Sequence, residues 1–151
     1  MADKLKRGRA GPLCAVSYFL GREWNAAMTD SELKQLCCEW QGLLGLAHWT
    51  IDVQVVRGVE IGGNRGQTDY YPVGEAALVR LKDPIDYHGY FQCDHEETLV
   101  HELLHLVFDK TATDGDEYEQ VLDRMARALV KLKRRTNTEL NDNDADISPS
   151  P

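Results

Sequence analysis

Basic residues are the scarce charge in this chain: 17 Lys and Arg stand against 25 Asp and Glu, for a formal net charge of -8 and a pI near 5.0. A nucleic-acid groove needs a basic stripe to displace counterions from phosphate, so no nucleic-acid partner is expected. Long hydrophobic runs are missing too. The apolar stretch at residues 13–20 (LCAVSYFL) has eight residues and contains Ser17, well short of the roughly 20 that cross a membrane. Lys4, Lys6, Arg7 and Arg9 precede it in the order of a secretory signal, yet no small-x-small site follows directly, and no leader is expected. Cysteine is sparse: Cys14, Cys37, Cys38 and Cys93 form neither a CxxC nor a disulfide-like ladder. Reduced thiols and a cytoplasmic location are the expectation. Residues 57–66 (RGVEIGGNRG) are rich in glycine but lack a Lys-Ser/Thr signature and a following helix, which suits a turn rather than a phosphate cradle.

What is present suffices for one domain. A chain of 151 residues at 42% hydrophobic composition can bury one core and not two. The domain is expected over residues 29–135, after a loosely attached segment 1–28. Residues 136–151 carry Glu139, Asp142, Asp144 and Asp146 with no base and few apolar residues, so a disordered acidic tail is expected there. Thr29-x-x-Glu32 reads as a capping box opening a helix whose buried face is Leu33, Leu36, Cys37, Trp40, Leu43 and Leu44. Trp49, Ile51, Val53 and Val55 alternate with polar residues as in a half-buried strand. Further strands are expected at 67–71 and 75–81, separated by Pro72-Val73-Gly74. Asp94, with Glu97 three places on, caps a helix over about 95–109. Tyr118, Leu122, Met125, Leu129 and Leu132 form the stripe of a last helix, about 116–134. This order predicts an α+β fold in which an N-terminal helix and a small, about three-stranded sheet precede two helices.

The chemistry lies in residues 98–109, TLVHELLHLVFD, where His101, Glu102 and His105 interrupt an apolar run. Left without partners, two imidazoles and a carboxylate in an apolar helix would cost several kcal/mol. His101-Glu102-Leu103-Leu104-His105 fits H-E-x-x-H, and a spacing of four, slightly more than one turn, projects both imidazoles from one face. Zinc suits them, since it takes imidazole nitrogen at about 2.0 to 2.1 Å and leaves one tetrahedral position open. Glu102 lies beside that face, placed to accept a proton from water that the metal has acidified. A third ligand is still needed. The last helix offers Glu117 and Glu119; Asp123 stands one turn after Glu119, where its carboxylate can accept the second ring N–H of a zinc histidine, whereas Val121 follows Glu117. Glu119 is therefore the expected ligand, Asp123 its supporting partner, and Glu117 a residue of the exposed first turn. Cys93 and His95 read as non-ligands, because His95 lies on another face of the helix from His101.

His101-Glu102-x-x-His105 followed by Glu119-x-x-x-Asp123 resembles the gluzincin type of zinc metallopeptidase. The likeness covers about residues 95–130 by motif; the preceding helix and small sheet are similar to the minimal, phage-borne or prokaryotic members called minigluzincins. The resemblance implies a zinc-dependent endopeptidase binding one Zn2+ through His101, His105 and Glu119, with Glu102 as general base and later acid. Its partner would be a protein or peptide, with no membrane, and the chain a monomer. The chain departs from the family in having Tyr118 where fuller members have asparagine before the third ligand, in the 13 residues separating His105 from Glu119, and in leaving no room for the second subdomain that supplies an oxyanion donor. A local donor must serve, with Tyr87, His88, Tyr90 and Tyr118 as candidates. In such peptidases an edge strand pairs with substrate backbone; strand 75–81 suits that role and suits a central strand equally. The alternative function is a non-catalytic, zinc-stabilised regulatory or interaction module, and hydrolysis of some other substrate is a third. An intact Glu102 favours catalysis, because a purely structural zinc site has no use for a base beside an open position.

Overall fold

The computed structural model describes residues 28–88, 93–108 and 115–145, with side chains described as far as residue 140. The signal-like stretch at 13–20, Cys14, Tyr90 and residues 146–151 lie outside the described residues. The fold is α+β, as expected: α1 (Asp30–Leu43), β1 (Thr50–Val56), β2 (Gly66–Tyr71), β3 (Ala76–Lys82), α2 (His95–Val107) and α3 (Asp116–Ala145). Short 3-10 turns at Gly58–Ile61, Pro72–Gly74 and Pro84–Asp86 join them.

Helix α1 begins where the capping box puts it. Thr29 Oγ1 accepts from Glu32 N at 3.3 Å and Glu32 Oε2 accepts from Thr29 N at 2.9 Å, which satisfies two donors that a helix start leaves open. Leu33, Cys37 and Trp40 are buried, while Leu36 and Leu44 pack at the rim. Leu43, expected in the core, is 64% exposed: the chain turns away at Gly45, whose φ of 72° is left-handed, and Leu46 fills the buried place instead.

The sheet order is β1-β3-β2, with β3 parallel to β1 and antiparallel to β2. Ala77, Val79 and Leu81 alternate inward along β3. This decides between the two readings of strand 75–81: it is the central strand. The edge strand that packs against α2 is β2.

Asp94 Oδ1 accepts from Glu97 N at 3.0 Å and caps α2, which packs between the sheet and α3. In α3 the buried line is Leu122, Ala126 and Val130, with Tyr118, Met125 and Leu129 beside it. Leu132, expected on the stripe, is 62% exposed, because positions 122, 126 and 130 define the inward face and 132 lies well off it. The helix also continues to Ala145, eleven residues past its expected end and through most of the expected disordered tail. No Gly or Pro occurs between Asp116 and Ser148 to stop it, and the Thr136 and Thr138 hydroxyls bond back to the carbonyls of Leu132 and Arg134. Among the described residues no helix is long and apolar enough to cross a membrane.

Candidate metal centre

Helix α2 buries most of its circumference: Leu99, Val100 and Leu103 are 0% exposed and Leu104 is 2% exposed. His101, Glu102 and His105 face α3 and the start of β2. His101 and His105 stand one turn apart with ring centroids 5.0 Å from each other, and their Nε2 atoms approach to 3.2 Å. Glu119, on the first turn of α3, brings Oε2 to 3.1 Å from His101 Nε2 and 3.6 Å from His105 Nε2. These three donors form a triangle. A tetrahedral ion with ligands at about 2.0 to 2.1 Å needs donor separations of about 3.3 to 3.4 Å, and the observed 3.1, 3.2 and 3.6 Å bracket that value. Two imidazoles and one carboxylate therefore fit a metal in distance as well as in chemistry; the donor set suits zinc without identifying it.

Asp123 lies one turn beyond Glu119, and its Oδ1 is 2.9 Å from His101 Nδ1, although the ring N–H does not point along the line between them. The same oxygen accepts from Arg65 Nη2 at 2.9 Å. Glu102 borders the same cleft, reaches β2 with its carboxylate and is 5% exposed. There Thr68, itself buried on β2, donates from Oγ1 to Glu102 Oε2 at 2.7 Å. Gly66 is the reason the strand can come so close. A Cβ on it would sit 2.5 Å from Glu102 Oε1 and 2.9 Å from Thr98 Cγ2, so any side chain would displace the carboxylate.

A cleft of about 520 Å³ opens over these groups. Residues 64–69 form one wall; Glu97, Thr98, His101, Glu102, His105, Glu119 and Asp123 form the other. All five residues assigned a role by sequence thus border one cleft. Glu117 is exposed, as expected. His95 is buried elsewhere, its Nε2 2.9 Å from Lys82 O, and burial pushes the Cys93 thiol up to about 11, which suits neither to bind a metal.

Among the described oxyanion candidates, Tyr118 has its ring 5.8 Å from that of His105, but its hydroxyl donates to Phe108 O at 3.3 Å. Tyr87 is raised to about 12 by burial beside Cys93 and Thr98, and His88 is exposed. Sequence reasoning missed Arg65, Gly66 and Thr68. Residues 57–66 read as a turn and 67–71 as a plain strand, and nothing local marks a residue that meets its partner 34 or 58 positions away. No protein-family model matches the chain, and no curated protein or solved structure matches it either.

Proposed function

We propose that the protein is a zinc-dependent peptidase of gluzincin type, with His101, His105 and Glu119 holding one zinc and Glu102 acting as general base. The observation that carries this reading is the pairing of a three-donor triangle of metal-binding size with a buried carboxylate oriented by its own hydrogen bond. The ion, when bound, supplies Lewis acidity, bringing the pKa of water toward about 7 and polarising a carbonyl. Glu102 would accept a proton from the attacking water and return it to the leaving amine. Thr68 keeps the carboxylate from turning away, and burial among Thr98, Thr68 and Gly66 excludes bulk water from one side of it.

The edge of β2 supports a polypeptide as substrate. Lys82 N donates to Arg65 O at 2.9 Å, which sets the phase of the β2–β3 pairing. In an antiparallel pair the bonded residues alternate, so the backbone groups of Gly66 and Thr68 point away from β3, on the cleft side. An extended peptide can add there as a further strand, bound by main-chain hydrogen bonds that depend little on its side chains. We take the setting to be cytoplasmic and the working unit to be a monomer.

Elemental analysis of protein purified without chelators, together with cleavage of a mixed peptide library, tests the proposal. One zinc per chain is expected, lost in Glu119→Ala and kept in Glu102→Gln, with the latter cleaving roughly 10² to 10⁴ times more slowly than the parent. Stoichiometric zinc with no cleavage of any peptide would favour the zinc-stabilised interaction module, and a folded chain that takes up no zinc would end the peptidase reading.

A further inference from the structure

We infer that Arg65 is a positioning residue for the metal ligand His101, acting through Asp123. This rests on the zinc site proposed above and assigns a role to a residue that bonds Asp123 rather than being itself a metal ligand. Asp123 Oδ1 accepts from Arg65 Nη2 at 2.9 Å and lies 2.9 Å from His101 Nδ1, close enough for a small turn of the ring to complete the hydrogen bond. A carboxylate facing Nδ1 favours the tautomer with its proton there, which leaves the lone pair on Nε2, the atom in the triangle. Asp123 can do this only while it faces His101.

Its side chain is 35% exposed on a helix surface. Arg127, four residues along α3, lies near enough to feel the Asp123 charge but is engaged by Glu97 Oε1 at 3.2 Å. Arg65 holds Asp123 from the other side. Its carbonyl is fixed to β3 by Lys82 N, so its guanidinium extends from the sheet toward α3 and holds the carboxylate in the orientation that reaches the imidazole. The residue that sets the metal histidine is thereby carried by the wall on which a peptide would lie.

Zinc affinity, measured by competition with a chromophoric chelator on the full chain, tests this without any substrate. Arg65→Met is expected to weaken zinc binding about tenfold and Asp123→Asn about 10- to 100-fold, the range for groups that support metal histidines. Arg65→Met added to Asp123→Asn should cause no further loss, because Arg65 acts only through that carboxylate. Arg65→Lys, which keeps the charge, should recover affinity to within about threefold of the parent, and the visible bands of the Co2+-loaded chain should shift in Arg65→Met and return in Arg65→Lys.

Unchanged affinity in a folded Arg65→Met chain, or losses that multiply in the double variant, would overturn the inference and leave the zinc site standing. A parent chain that binds no zinc would overturn both.

Discussion

A carboxylate that is 5% exposed is costly unless something bonds it, and at Glu102 Thr68 answers that need at 2.7 Å. A hydrogen bond to a charged group contributes about 1.5 to 3 kcal/mol. Thr68→Val keeps the shape and removes the donor, so it should destabilise the fold by about 1 to 3 kcal/mol in urea unfolding. On the proposed function, zinc content should be unchanged, since Thr68 bonds Glu102 and is not a ligand, while peptide cleavage falls; Thr68→Ser should restore it. Full cleavage in Thr68→Val with loss in Thr68→Ser would show that the methyl group matters and the hydroxyl does not. At this scale the sequence was informative wherever the chemistry is local to one helix. His101, Glu102 and His105 are readable from their spacing, and Glu119 with Asp123 from the next helix. Thr68 and Arg65 were not readable, since their partners lie on other elements and a threonine in a strand has the same period-2 pattern whatever it bonds.

Between elements, the site depends on α2 and α3 keeping their register, and an ionic cluster fixes the end of the pair remote from the triangle. Lys133 Nζ bonds Glu39 Oε2 at 2.9 Å and Glu96 Oε1 at 3.0 Å and stands 5.0 Å over the Trp40 ring. Arg134 joins Asp94, the cap of α2, at 3.1 Å and Glu96 at 2.9 Å. One cluster thus ties α1, the start of α2 and the middle of α3 together. Removing one partner from a buried ion pair leaves a charge uncompensated, at about 3 to 5 kcal/mol when burial is complete. Lys133 is 18% exposed, so Lys133→Met should cost less, about 1 to 3 kcal/mol by urea unfolding. Zinc affinity in the same variant should stay within about threefold, in contrast to Arg65→Met, because the cluster fixes helix position and touches no donor. The strands and helix starts were legible to within about a residue, because capping boxes and alternation are local signals. Strand order was not: β1 pairs with β3 across an intervening strand, and no pattern in residues 75–81 states which neighbours they have. The end of α3 was misread because acidic composition was weighed above the absence of any residue that breaks a helix.

For the molecule as a whole, alkaline pH gives a test of how tightly the core is closed. Burial pushes the thiols of Cys37 up to about 12 and Cys93 up to about 11, from 9.0, and the phenol of Tyr87 up to about 12 from 10.0. Above pH 9 the unfolded chain releases protons that the folded chain still holds. Stability falls with pH wherever the unfolded state binds fewer protons, so these groups stabilise the fold fully below pH 9 and lose that contribution as pH rises toward 11 and 12. Each such proton contributes a slope of about 1.4 kcal/mol per pH unit where the difference is fully developed. The net charge of -8 works in the same direction, because further deprotonation adds to self-repulsion. Salt separates the two causes. At about 1 M the Debye length shrinks to about 3 Å, which removes long-range repulsion and leaves the burial of the thiols untouched. Urea midpoints should therefore be flat from about pH 7 to 8.5 and decline above about pH 9 at both low and high salt. Cys37→Ala should start less stable and show a shallower decline. A slope abolished by salt, with Cys37→Ala parallel to the parent, would assign the alkaline loss to surface charge and show that the Cys37 thiol ionises within the folded chain.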